Sequence, residues 1–442
     1  MEQQIATTPQ ELHSDEVRFT LHLKPSCMME YDVEAFVPLV KEAHKKAVKR
    51  ISKEVSLHGF RKGKAPDALV EKNFSKEVDK EWQSEIASLA FQACQKLSKI
   101  RPLHTDAKVK FTMKSHSKSG ALLTLSFEIE PVVPIVDPKH FTITAVKRPE
   151  VNEDKVNETI RQIQLFFATW DKVTDRPVQE GDFVLLDVEV IENDPATPLF
   201  SDTRFEVLEK SMAKWMFDLV LGKRLHEVCE GVSVPDESAS VEDKETLQPK
   251  KVRLTIKAIE LPTAPPLDDD FIKNLGVSSL EELKENITAL LNKQADEHVK
   301  EAQRTQVSNF LLTQYPFELP PSLILEETRY RFQQLGQDPD FHHYWNQLSQ
   351  EERNKTIVMI NTQAEKAIRL FYLCRRIIAD ARISITAQDL PPAASNPLEL
   401  LLNPQKIHHH QRTPEVEHAE AYSRLLLEKA QDYLASHSAQ QA

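Results

Sequence analysis

The chain has 442 residues, 40% apolar and 28% charged, with a net charge of −12 and only eight glycines, where ordinary proteins average about 7% glycine. No two of those glycines stand one residue apart, so the GxGxxG, Walker and G-x-S-x-G loops are absent. Nucleotide-driven enzymes, dinucleotide dehydrogenases and serine hydrolases are thereby disfavoured, and the acidic balance argues against a dedicated nucleic-acid binder. At roughly 150 residues per domain the length suggests about three domains. The cysteines, Cys27, Cys94, Cys229 and Cys374, lie too far apart for a disulfide framework or zinc site, which fits a reducing cytosol. The first sixteen residues are polar and acidic, without the apolar stretch of a secretory signal, and no apolar run is long enough to span a membrane. The expectation is a soluble cytoplasmic chain.

Residues 15–23 alternate Val17, Phe19, Leu21 and Leu23, a strand signal. Apolar residues from Phe36 to Ile51 then recur at helical spacing, predicting a helix over 32–51. A loop at 56–66 leads to a second helix, 76–98, and two strands, 107–113 and 121–130, follow around the turn HSKSG. This reads as a compact α+β domain of strand, helix, helix, strand, strand. Four prolines between 131 and 149 predict an extended connector, and Asn152 is placed to cap a helix over 152–170. The runs 183–190 and 251–259 are strong strands bracketing about sixty loop-rich residues, so a second, β-rich domain is expected. LPTAPPL at 261–267 marks the next boundary, and Ser279 with Glu282 is a capping-box pattern. Beyond it the signal is helical. In 356–381, Ile357, Ile360, Ala364, Ala367, Phe371, Cys374, Ile378 and Ala381 form a seam for another helix. A last helix is expected over 414–435.

The charge is uneven. Nine lysines and arginines between Lys41 and Lys64 are opposed only by Glu42 and Glu54, a local charge of about +7. The same window ends in His58-Gly59-Phe60-Arg61-Lys62-Gly63-Lys64-Ala65-Pro66. A phenylalanine among cations at a loop tip is costly unless a partner buries it. The segment therefore reads as a docking loop in which cations meet phosphates or carboxylates and Phe60 inserts as an anchor, with Pro66 opening the next helix. The alternative is a tight helix–helix turn with incidental lysines. The triplet His408-His409-His410, with His418, could bind a divalent metal, but a solvated linker explains it as well, as it does His342-His343. No metal site is expected.

GFRKGKAP resembles the ribosome-docking signature of trigger factor, the bacterial chaperone family that meets nascent chains at the tunnel exit. Ala168-Thr169-Trp170 and Glu180-Gly181-Asp182 resemble that family's approach to its FKBP-type domain. Ile259-Glu260-Leu261-Pro262 and the segment Asp270–Gly276 resemble its exit into the helical domain. The resemblance implies a multidomain α+β protein: an N-terminal α+β ribosome-binding domain (1–131), a connector (132–177), an FKBP-like β domain (178–262) and a large α-helical client-binding domain (263–442).

It further implies ATP-independent shielding of nascent polypeptides, assistance in folding and export, and no cofactor. Gly59, Phe60, Arg61, Lys62, Gly63, Lys64 and Pro66 would meet ribosomal protein and rRNA, supported by Lys45, Lys46, Lys49 and Arg50. A homodimer off the ribosome is compatible with this, and no membrane partner is implied. The family's prolyl isomerase needs only an apolar, aromatic cleft that weakens the peptide resonance; Phe200, Phe205, Trp215 and Phe217 are the candidates. Here the family's Pro-Gly is Trp215-Met216, and its Phe-x-Gly-Gly turn is missing around Phe200-Ser201-Asp202, so any activity is expected to be weak; the alternative is that these aromatics are simply the core of a small β domain. Two other readings are a prolyl isomerase whose flanking domains recruit substrate, and a general RNA-binding protein.

Overall fold

The computed structural model describes residues 10–58, 60–104, 109–192, 196–235, 249–386 and 414–441. They divide into two compact units: 10–146 with 300–386 and 414–441, and 147–299.

Alternating burial builds the centre of the first sheet. β1 (Gln10–His13), β2 (Val17–Lys24) and β3 (Met28–Ala35) precede three helices, α1 (Val37–Glu54), α2 (Asp67–Asn73) and α3 (Ser75–Ser98), and β4 (Lys110–Ser117) and β5 (Gly120–Glu128) follow. The strands pair antiparallel in the order β1-β2-β3-β5-β4. Every second residue of β3 is buried, and this face carries Met29, Tyr31, Val33 and Ala35 against Leu39, Val40, Ala43 and Ala47 of α1 and Ile86, Ala90 and Cys94 of α3. Burying a large apolar side chain of this kind contributes about 1.5–3 kcal/mol. Tyr31 lies between Phe19 and Phe127, each 5.1 Å away between ring centres, and its hydroxyl is 2.9 Å from Ser98 Oγ. Trp82 Nε1 donates to the Val40 carbonyl at 3.0 Å, tying α3 to α1. A 3-10 turn (Pro138–His140) and β6 (Thr142–Thr144) come next.

The second unit opens with α4 (Glu153–Phe166), capped by the Asn152 side chain. β7 (Thr169–Lys172), β8 (Phe183–Val190), β9 (Thr197–Glu206), α5 (Lys214–Val220), β10 (Val228–Ser233) and β11 (Lys250–Thr263) follow. The sheet runs β10-β11-β8-β9, with β7 on the far end of β11. Its core joins Val184, Leu186, Val188, Leu254 and Ile256 to Met216, Phe217 and Val220 of α5. A separate cluster packs Val156, Ile160 and Ile163 of α4 on Phe271 of α6 (Asp269–Asn274) and on Leu283 and Ile287 of α7 (Leu280–Gln314).

From Lys300 onward α7 belongs to the first unit, which continues with α8 (Pro321–Leu335), α9 (Pro339–Gln347), α10 (Gln350–Asp380), α11 (Pro414–His437) and β12 (Ala439–Gln441). Val307 and Leu311 pack with Leu373, Cys374 and Ile377 of α10 and Leu426, Ala430 and Leu434 of α11.

Several elements differ from the sequence expectation. The helix expected over 32–51 starts at Val37, because 32–35 complete β3 and Pro38 lies in the first helical turn. Three strands, not one, precede it. The helix expected to reach 170 stops at Phe166; Thr169 and Trp170 favour strand and pair with Pro262 and Thr263. The stretch 191–250 holds β9, α5 and β10. Asp202, Arg204 and Glu206 break the apolar pattern of β9, and its register against β8 shifts around Val188. Val136, Phe141 and Ile143, in the segment read as a connector, are buried in the helical core. At Ser279 only half a capping box forms: Glu282 N–H donates to Ser279 Oγ, while the Glu282 carboxylate accepts from Ser278 N–H. In α10, Ile357 is exposed and the buried stripe begins at Ile360.

Candidate functional site

The cationic loop stands on its own small core. Val48 and Ile51 from the end of α1 pack with Val70 of α2 and Val78 of α3, and Val55, Leu57, Ala65 and Phe74 close around them. Gly63 adopts φ +75°, a left-handed conformation costly for side-chain-bearing residues. That turn lets its N–H donate at 2.8 Å to the carbonyl of Ser52, in the last turn of α1. Phe60 N–H donates to the Leu57 carbonyl (3.0 Å) and Lys64 N–H to the Arg61 carbonyl (2.9 Å). The loop is thus braced from below while its tip is bare. Phe60 is 41% exposed, and Arg61, Lys62 and Lys64 are exposed with no ion pair to another described residue. Pro66 lies just before α2 rather than within its first turn. Gly59 lies outside the described residues.

The supporting cations of α1 are not alike. Lys46 Nζ is 2.8 Å from Glu42, whose hydrogen bond raises the ammonium pKa. Arg50 reaches Glu81 at 2.8 Å and Glu85 and Glu54 at 3.6 Å. Lys45 and Lys49 are exposed and make no ion pair among the described residues. Lys41 and Lys53, part of the basic window but not singled out as supporting residues, share that condition; their four-residue spacing from Lys45 and Lys49 was the available signal.

The aromatic candidates of the second unit separate. Phe200 is 43% exposed and meets Phe205 edge-on, 5.6 Å between ring centres. Phe217 and Met216 are 6% and 4% exposed and belong to the core, with Trp215 and Phe205 partly buried against it. Asp202 holds φ +48°, so the left-handed turn near Phe200 persists without glycine. Its N–H donates to the Asp187 carboxylate at 2.8 Å, and Lys257 bridges Asp187 (3.0 Å) and Asp202 (2.9 Å). Those contacts hold the Asp187 carboxyl below its usual range, the Asp202 N–H chiefly. Nearby, the Arg204 guanidinium lies 3.9 Å from the Trp170 ring centre and pairs with the buried Glu260 at 2.8 Å.

Among the described residues no cluster of His, Cys, Asp or Glu could hold a metal ion, and no helix is long and apolar enough to cross a membrane. His408, His409 and His410 lie outside the described residues.

The family model "Bacterial trigger factor protein (TF)" matches residues 18–163, and its C-terminal counterpart matches residues 279–435. Trigger factor of Protochlamydia amoebophila is 27% identical over 381 residues, covering 85% of each chain. Trigger factor of Chlamydia abortus is 27% identical, covering 85% of this chain and 86% of its own. The Aquifex aeolicus protein is 24% identical, covering 79% and 72%. A solved trigger factor chaperone chain, studied for promiscuous substrate recognition, aligns over 97% of this chain and 99% of its own at 17% identity and a TM-score of 0.47. The two family matches together span well over half the sequence and take in the braced cationic loop: the chain belongs to the bacterial trigger factor family of ribosome-associated chaperones.

Proposed function

We propose that the loop 58–66 is the ribosome-docking element of this chaperone. Phe60 inserts into an apolar depression of a ribosomal protein at the tunnel exit, while Arg61, Lys62 and Lys64 engage adjacent carboxylates or RNA phosphates. The carrying observation is an exposed aromatic among cations that make no ion pair with a described residue, on a loop braced by its own core. Docked there, the protein acts in the cytoplasm, without ATP, by holding apolar segments of emerging chains. Val358 and Met359 of α10, Leu325 of α8 and Tyr344 of α9, each more than half exposed, offer scattered apolar surface for that weak holding.

Site-specific photo-crosslinking on translating ribosomes tests both halves. A probe at position 60 should capture a ribosomal protein, and a probe at position 358 should capture nascent chain. Capture of nascent chain alone from position 60 would remove the docking assignment.

A weak prolyl isomerase activity in the second unit is favoured by one feature, the exposed Phe200 edge-on to Phe205. The burial of Phe217 and Met216 leaves that pair to bind proline with little enclosure. A protease-coupled proline-peptide assay should show slow catalysis that Phe200→Ala with Phe205→Ala removes. A wild-type rate equal to the uncatalysed one would reduce the unit to a binding module.

A further inference from the structure

We propose that β6 is a binding edge for an extended segment of unfolded polypeptide, and that β12, the strand after α11, occupies this edge when no client is present. The proposal rests on the holding reading above and assigns to it one site that reads backbone rather than side chains.

β6 is built to persist when its partner leaves. Ile143 is 5% exposed and packs with Phe141 into the helical core. Thr142 and Thr144 on either side are exposed, β-branched residues that favour strand. One edge is closed by a side chain of α7. Thr144 N–H donates to Gln306 Oε1 at 2.9 Å, and Gln306 Nε2 donates to the Thr144 carbonyl at 3.1 Å.

The other edge carries β12. The two strands run parallel, with Ala439 opposite Thr142, Gln440 opposite Ile143 and Gln441 opposite Thr144, in a sheet of their own. A two-stranded sheet is marginal by itself, and parallel pairing is slightly weaker per residue than antiparallel. The β12 sequence, Ala-Gln-Gln, contains none of the β-branched or aromatic residues that favour strand. What remains to hold it is main-chain hydrogen bonding, which any extended chain offers equally. The end of α11 closes on itself: Ser436 Oγ and Ser438 Oγ donate to the Tyr433 and Ala435 carbonyls at 2.8 and 2.7 Å. Release of β12 therefore leaves both α11 and β6 in place.

A strand edge is a template for another chain, and strand addition draws its affinity from the main chain with little demand on sequence. That suits clients that share no sequence, only extended unfolded stretches. A segment richer in β-branched residues pairs better than Ala-Gln-Gln and displaces it. A folded product, whose own strands are already paired, offers no such segment and is released.

The test measures, by fluorescence anisotropy, the affinity for a short labelled peptide of alternating valine and threonine. The same peptide N-methylated at alternate amides serves as the control without those donors. Apparent affinity scales with the fraction of molecules whose edge is free. A chain stopped after Ser438 should therefore bind the plain peptide more tightly, on the order of tenfold, and the N-methylated one no better than the full chain does. Thr142→Cys with Ala439→Cys sets two thiols opposite each other on adjacent strands, within disulfide reach, while the four native cysteines are buried. Oxidised, this variant should bind the plain peptide several-fold more weakly than when reduced.

A truncated chain with wild-type affinity, or equal binding by the oxidised and reduced variant, overturns the proposal. An equal gain for the N-methylated peptide overturns the backbone reading. Dimerisation of the full chain that truncation abolishes would assign the edge to β12 of a second copy instead. Should truncation lower the melting temperature, the oxidised and reduced forms of the double-cysteine variant decide the matter within one protein. Failure of nascent-chain capture at position 358 removes the holding reading separately, and leaves the edge to be judged on the peptide.

Discussion

Gly63 and Asp182 show how single residues hold the two units in working shape. At φ +75° Gly63 turns the loop so that its N–H reaches Ser52. Gly63→Val would add strain of about 1–3 kcal/mol, because the left-handed backbone disfavours a side-chain-bearing residue. The expected result is a lower melting temperature and weaker ribosome binding, with Phe60 and its neighbouring cations unaltered; unchanged binding would show that the turn does not aim the loop. Asp182, 2% exposed, immediately precedes β8, accepting from Arg176 at 2.6 and 2.8 Å and from Gln179 N–H at 2.8 Å. Burial pushes its carboxyl up, but those donors outweigh it and hold the pKa below the usual carboxylate range. A carboxylate with a depressed folded-state pKa contributes stability that is complete above its unfolded value, about 3.9. That contribution is lost as pH falls through the folded value. Asp182→Ala should destabilise the second unit by about 1–3 kcal/mol at pH 7, the cost of orphaning a donor. The difference from wild type should shrink below about pH 4; a difference independent of pH would mean that packing, not charge, is what is lost.

At the scale of elements, the β2–β3 turn is latched to the chain entering α8. Ser26 N–H donates to Glu318 Oε2 at 2.6 Å, Cys27 Sγ donates to the Glu318 carbonyl at 3.2 Å, and Ser322 Oγ donates to the Glu128 carboxylate. Ser26 and Cys27 both stand at positive φ, 62° and 56°, a conformation that persists only where its surroundings impose it. Burial, then the charges of Glu318 and Glu128, push the Cys27 thiol up to about 11. Glu318→Ala should release the turn, lower that pKa and speed alkylation of Cys27 severalfold at pH 8. An unchanged alkylation rate would show that burial alone protects the thiol.

The latch was not legible in the sequence, because it joins residues nearly three hundred positions apart. What could be read was local: the alternation of β2, the strand runs of β5 and β8, the Asn152 cap, and the apolar spacing of α1 and α10. Misreadings fell where a local signal served two elements. Residues 32–35 fit either a strand or a helix start until Pro38 fixed the boundary. At the docking loop, residue type and spacing exposed Phe60 and its cations, but the division of the α1 cations depended on Glu81 and Glu85 of α3, which only the fold brings near.

For the molecule as a whole, docking and holding are assigned to different surfaces and should come apart. Replacing Leu325, Val358 and Met359 by serine should weaken suppression of aggregation of a denatured client several-fold while ribosome binding stays at wild-type level. Loss of both together would indicate a folding defect rather than a holding surface. Mutating Phe200 and Phe205 should leave aggregation suppression intact, because holding needs no enclosed proline site; parallel loss would favour an isomerase as the main activity. The central claim is that the braced loop brings this chaperone to the ribosome. It is tested most directly by co-sedimentation of the full chain with ribosomes after Phe60, Arg61 and Lys62 are each replaced by alanine. Loss of the protein from the ribosomal pellet, with an unchanged circular dichroism spectrum and melting temperature, is the predicted result; pelleting at the wild-type level would contradict the account.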